Sequence, residues 1–137
     1  MSIPNFGSPS YGLTKSLSNT TMAEAKERAA AALATEGFGV LTEIDVKATF
    51  AAKLDKHIPG YTILGACSPG LAHEALQAEA AIGLLMPCNV VIAEQTDGSL
   101  SISIADPVAM FQPLNRTDLD DFAQEVRTQL QRALDQV

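Results

Sequence analysis

Two cysteines in 137 residues are too few for the disulfide framework with which small secreted domains replace a missing core. A chain of this length that is 47% hydrophobic needs no such staple, because a single domain of that size buries about two-thirds of its unfolded surface. The two thiols are therefore expected to be reduced. Cations are also scarce: nine Lys and Arg stand against sixteen Asp and Glu, for a net charge of −7. That excess repels phosphate backbones and anionic lipid, which argues against nucleic acid as a partner. No apolar run approaches the ~18 residues of a membrane span, and MSIPNFGSPS lacks the basic start and apolar stretch of a signal peptide. The expectation is a cytoplasmic protein without a membrane partner. There is no glycine-rich phosphate loop, so nucleotide binding has no support and no cofactor is implied. No internal repeat is visible.

What is present is a sequence of short, well-punctuated elements. Residues 1–10, rich in Pro, Gly and Ser, read as an irregular arm before a single domain over 11–137. In YGLTKSLS (11–18), Tyr11, Leu13 and Leu17 alternate with Thr14 and Ser16 as in a half-buried strand, with Lys15 breaking the pattern. Thr21-Met22-Ala23-Glu24 has the spacing of a capping box, opening a helix to about Glu36 whose buried stripe is Met22, Ala25, Ala29, Ala32 and Leu33, with Gly37 as C-terminal cap. FGVLTEIDV (38–46) predicts a strand with Phe38, Val40, Thr42, Ile44 and Val46 toward the core. A short helix over 46–55 follows, then a strand at YTILGAC (61–67), whose Gly65 and Ala66 would admit a close neighbour. Ser68 and Pro69 start a helix to about Glu79 with Leu71, Ala72, Ala75 and Leu76 on its apolar face. IGLLMPCNVVIAEQ (82–95) reads as a fourth strand, joined through the turn TDGS to LSISIAD, with Leu100, Ile102 and Ile104 inward and the serines outward. Asp106-Pro107 opens a short turn. Thr117 then caps a last helix with Leu119, Phe122, Val126, Leu130 and Leu134 in one stripe and acidic residues at its positive end. Half-polar strands without long β-α-β alternation predict an antiparallel α+β fold.

FGVLTEIDV, ILGAC-x-P-x-LAHEAL, GLL-x-PCNVV-x-E and ADP-x-AM, in that order, resemble the domain of unknown function 302 family over about residues 11–136. The resemblance implies a β-α-β(4)-α arrangement, an antiparallel curved sheet with helices on one face as in the TATA-binding-protein-like fold class. Two small helices are inserted before strands 3 and 4. It also implies a homodimer, with no nucleic-acid activity and no established reaction. Cys67, Pro69, Pro87, Cys88, Asn89 and Asp106 match positions that recur in the family's motifs; Ser68 stands where Asn is usual, and both residues cap helices.

Each candidate residue carries two readings. Cys67 precedes a helix start, where free amides and the helix dipole stabilise a thiolate; it also fits a small buried hydrophobe at a strand end. Pro87 cannot donate to a ladder, so it marks an edge, a strand beginning or a bulge that re-aims Cys88 and Asn89 toward a ligand; alternatively Asn89 merely ties down irregular backbone. Cys67, Cys88 and His73 are ligand types that zinc or copper would accept, but their spacing matches no standard metal pattern, and His73 lies opposite the apolar face of its helix. Glu43 and Asp45 are about 7 Å apart along one strand, within range of shared acid and base roles or of a plain solvated face. Asp106 fits a general base or, beside Pro107, a helix cap. The first functional reading is a domain binding a small molecule or a protein near Cys67, Cys88 and Asn89, with Glu43 and Asp106 as further candidates. The second is thiol-dependent redox or metal handling by Cys67 and Cys88, and the third a hydrolase using Glu43.

Overall fold

The computed structural model describes residues 3–137. Five strands form one sheet: β1 (Gly12–Leu17), β2 (Gly39–Asp45), β3 (Tyr61–Cys67), β4 (Cys88–Glu94) and β5 (Leu100–Ala105). Their spatial order is β1-β5-β4-β3-β2, with each neighbouring pair antiparallel. The helices are α1 (Met22–Thr35), α2 (Val46–Leu54), α3 (Pro69–Ala78), α4 (Pro107–Phe111) and α5 (Asp120–Asp135), with 3-10 turns at Ala80–Leu85, Gln112–Leu114 and Thr117–Leu119. The α+β class and the antiparallel sheet are as the alternating strands require.

Strand register explains the core. Leu13, Ile104, Val90 and Leu64 are cross-strand partners in one row, and Leu17 and Leu100 pair in another. Residues paired across a ladder share a face, so these rows present one apolar surface. Against it pack Ala25, Ala29, Ala32 and Leu33 of α1 and Val126, Leu130, Ala133 and Leu134 of α5. Small alanines let α1 approach the sheet closely. Its start is held by the Thr21 hydroxyl, which accepts from the Glu24 amide at 3.2 Å. Its end is closed by Gly37 at φ +81°, where the Phe38 amide reaches back to the Leu33 carbonyl. Lys15, the misfit of β1, stands in the Ile102 row and faces α5. Its ammonium donates to the carbonyls of Leu134, Asp135 and Val137, the last at 2.8 Å, placing a cation at the negative end of that helix.

Several expectations are corrected. Every residue of β2 is exposed. The register shifts between Val40 and Thr42, and a one-residue bulge inverts the side-chain alternation. Beyond it Glu43 pairs with buried Leu64 and lies on the helix side, while Ile44 pairs with Ile63 on the opposite face and is 50% exposed. The fourth strand is shorter than the apolar run: residues 80–85 form a 3-10 turn, and the ladder begins only at Cys88. Thr117 begins a 3-10 turn, and α5 has no side-chain cap. Leu76 faces solvent. Ser101 and Ser103 are buried, not outward in water. Ser103 bonds the Thr14 hydroxyl at 2.8 Å, and the Pro9 ring lies close above Gly12 beside it. The arm crosses this second face without helix or strand, tied to the far turn by Asn5 on Thr96 and by the Phe6 amide on Gln95. Residues 1 and 2 of the expected arm lie outside the described residues.

Candidate functional site

The helix layer does not fill the whole sheet. At the end where β3 finishes and β4 begins, α1 and α5 give way to shorter pieces: α3, the 80–85 turn and α4. Between them lies a cavity of about 260 Å³. Its sheet wall is Ala66, Cys67, Cys88 and Ala105. Leu71, Ala72 and Ala75 of α3 form one side, Ile82, Leu84 and Leu85 of the 80–85 turn another, and Pro107, Met110 and Phe111 of α4 a third. Phe122 and Val126 from the first turns of α5 close it, with Phe122 stacked on Phe111 at a centroid distance of 6.2 Å and 10° between planes. No lining residue carries a formal charge. Polar groups are few: the Ser68 hydroxyl, which makes no cap hydrogen bond, and the Cys88 thiol, while Asn89, opposite Gly65 in the ladder, borders the cavity from a strand position whose side chain lies on the other face.

Local sequence accounts for this arrangement. Pro69 occupies the first turn of α3, where its missing amide costs no helix bond. That helix starts directly after Cys67 and so carries the chain across the end of the sheet. Pro87 stands just before the first residue of β4, joined to Met86 through a cis peptide bond. Its ring fills the space over Gly65: a Cβ there would lie 2.7 Å from the Pro87 ring and would collide with the Thr42 hydroxyl as well. Gly65 thus admits a proline ring and not a ligand. The ladder around it is regular, with Ala66 opposite Cys88 and Gly65 opposite Asn89. No bulge re-aims Cys88 and Asn89; Cys88 faces the helix side by ordinary alternation and packs against the core.

Cys67 and Cys88 are free thiols on adjacent strands, one residue out of direct register, and both border the cavity. Burial, and secondly the neighbouring Cys67, push the Cys88 thiol up from 9.0 to about 11. At neutral pH Cys88 is therefore a protonated thiol, the weakly nucleophilic form.

The remaining candidates are elsewhere. His73 is exposed on α3 and is not part of the lining. Among the described residues no three His, Cys, Asp or Glu side chains gather closely enough to hold a metal. Glu43 ion-pairs with Lys26 at 2.9 Å on the rim of the helix layer. Asp45 accepts from the Ala48 amide as the N-cap of α2. These two carboxylates do not act as a pair, and neither borders the cavity. Asp106 is buried with both oxygens occupied: one accepts from the Val108 amide at 2.9 Å as N-cap of α4, and the other meets Arg127 of α5 at 3.1 Å. It fixes α4, which supplies a cavity wall, without entering the cavity. Sequence reasoning missed Met86, Met110, Phe111 and Phe122 as part of the site. Their only signal was proximity to the PCN and ADP segments, indistinguishable in sequence from packing.

Comparison with known proteins agrees with the fold. A crystal structure of an uncharacterized conserved DUF302 protein from Bacillus stearothermophilus matches with a TM-score of 0.87 at 27% identity, over 93% of this chain and 98% of that one. Comparison with curated proteins gives no match. The family model described as domain of unknown function DUF302 matches residues 13–137, which takes in the sheet but for Gly12, the helices α1 to α5 and every residue of the cavity wall. This chain belongs to the DUF302 family, and its membership carries a fold without an assigned reaction.

Proposed function

We propose that this protein binds a small, neutral, largely apolar molecule between the sheet end and the short helices. The observation that carries the proposal is the cavity itself: about 260 Å³ lined almost wholly by aliphatic, aromatic and sulfur side chains. Ligand sites are characteristically concave and apolar with a few placed polar groups, and the Ser68 hydroxyl, free of a cap hydrogen bond, supplies such a group here. An ion would lose its hydration without a countercharge in return, which is costly in an apolar setting. The occupant is therefore uncharged, and smaller than a typical drug-sized ligand.

The test is calorimetric titration of the reduced protein with indole as a neutral probe and benzoate as a charged one. Saturable indole binding with much weaker benzoate binding is expected. Ala72→Phe, which places a ring in the space from α3, abolishes the indole signal while leaving the melting temperature unchanged or raised. Absence of indole binding to the unaltered protein, or binding unaffected by Ala72→Phe, overturns the proposal.

A homodimer belongs to the same reading. Its support is edge strand β2, exposed along its length with Leu41 66% and Ile44 50% accessible, since an open apolar edge invites pairing with another chain. Sedimentation equilibrium reporting a monomer at micromolar concentration would remove it.

A further inference from the structure

We infer that the cavity selects a planar aromatic ring over a saturated ring or chain of similar size. The inference rests on the apolar-ligand reading of the same cavity and narrows its occupant to one chemical class. Phenylalanine is scarce in this chain, with five residues in 137, yet three of them, Phe38, Phe111 and Phe122, border this one space. Met86, Cys88 and Met110 border it as well. The six reach it from separate parts of the fold: Phe38 from the approach to β2, Met86 from the end of the 80–85 turn, Cys88 from the sheet, Met110 and Phe111 from α4, and Phe122 from α5. Against them, α3 brings only leucine and alanine.

Aliphatic walls respond to buried area and shape, and hold a saturated ring as well as a flat one. Aromatic and thioether groups discriminate further. A ring carries a negative face and a positive edge, so a second ring gains from offset stacking or an edge-to-face approach, and thioether sulfur is favourable at a ring edge. A saturated ring has no such quadrupole and gains none of this. Phe111 and Phe122 already make one such contact with each other, but near-parallel planes with centroids 6.2 Å apart describe an offset pair. An offset pair leaves part of each ring uncovered by the other, and both rings are half-buried beside the cavity rather than sealed in the core. Phe38, by contrast, is 3% exposed and belongs to the core cluster. Selectivity therefore falls mainly to α4 and the start of α5, with the methionines beside them.

The experiment is nuclear magnetic resonance titration of the reduced protein with benzyl alcohol and, separately, cyclohexylmethanol, followed on the methyl signals of Ala72 and Ala75. The two probes share a carbon skeleton and one hydroxyl, and the saturated one is the more hydrophobic. Transfer into an apolar space alone therefore favours cyclohexylmethanol, whereas benzyl alcohol is expected to bind at least about fivefold more tightly. Phe111→Leu keeps the wall apolar and is expected to remove most of that preference. Met110→Leu, close in volume and mild for the fold, is expected to reduce it by about two- to threefold. Equal or tighter binding of cyclohexylmethanol by the unaltered protein, or a preference unchanged in both variants, overturns the inference. Indole keeps the two proposals apart: indole binding without a preference for benzyl alcohol sinks the aromatic selectivity alone, whereas failure of indole and both alcohols to bind removes the apolar-ligand reading with it.

Discussion

The two ends of the helix-covered sheet face are built from the same strands and packed differently. Toward the middle, Leu33, Ile92, Ile102 and Leu130 are essentially inaccessible between the sheet and two helices of fourteen and sixteen residues. Toward the β3–β4 end, the cover is a ten-residue helix, a six-residue 3-10 turn and a five-residue helix, and the same face ends in a cavity. Long helices present a continuous stripe that fills the space over a sheet. Short pieces joined at angles bring fewer large side chains to each point, and here the wall is further thinned by Ala66, Ala72, Ala75 and Ala105. The difference separates the residues that hold the fold from those free to serve a ligand.

Deleting volume at each end should have very different costs. Leu130→Ala removes a fully buried side chain and is expected to cost about 2–5 kcal/mol in urea unfolding. Leu85→Ala, half-buried against an existing void, is expected to cost about 1 kcal/mol, because the cost grows with the new cavity that each deletion leaves. Equal losses would show that the cavity end is as tightly packed as the core.

Cys88 allows a pH test confined to the cavity end. Its folded pKa of about 11 lies above its ordinary value of 9.0, so the folded state holds the proton more tightly than the unfolded state does. The resulting stabilisation is complete below about pH 9 and disappears as pH rises through about 11, and it amounts to roughly 2–3 kcal/mol at most. The stability difference between the unaltered protein and Cys88→Ala should therefore shrink over that window. A difference that stays flat would mean that the thiol is better solvated than its packing shows.

Gly65→Ala tests the far side of the same region. The new methyl meets the Pro87 ring and the Thr42 hydroxyl, and overpacking of this kind costs about 1–3 kcal/mol. Because the clash lies over the strand preceding Cys88, a shift in the nuclear magnetic resonance signals of the α3 and 80–85 segments should accompany the loss. The smallest effect belongs to Glu43→Gln. Its ion pair with Lys26 is about half exposed and outside both regions, so the expected change is below about 1 kcal/mol, screened further by salt. A larger change would return Glu43 to consideration as a working residue.

Much of the fold was legible in local pattern. Thr21 and Gly37 bracket α1 as capping rules require, the 61–67 strand and the turn at Gly98 were evident, and the Val126, Leu130 and Leu134 stripe marks the buried side of α5. The candidate site was legible only in part: Cys67, Cys88 and Asn89 border one cavity, and of the readings of Pro87 the strand beginning holds while the bulge does not. Pro87 starts a regular strand and covers Gly65, and the one irregularity in the ladders lies at Val40 and Thr42. That bulge is invisible to alternation, since VLTEI reads equally well in either phase. Ser101 and Ser103 misled for a related reason: a serine that looks outward in sequence is buried once the arm crosses it.

Local pattern was enough to set most of the elements and the buried stripes of α1 and α5, because helix caps, turn glycines and apolar periods act over a few residues and need no partner. Tertiary structure alone decided that α3, the 80–85 turn and α4 stop short of closing over the sheet end. It alone also drew Met86, Cys88, Met110, Phe111 and Phe122 to one cavity and left Glu43, His73 and Asp106 out of it. Whether packed elements leave a void depends on how lengths and side-chain volumes from distant segments add up at one point, and that sum exists only once the chain has folded.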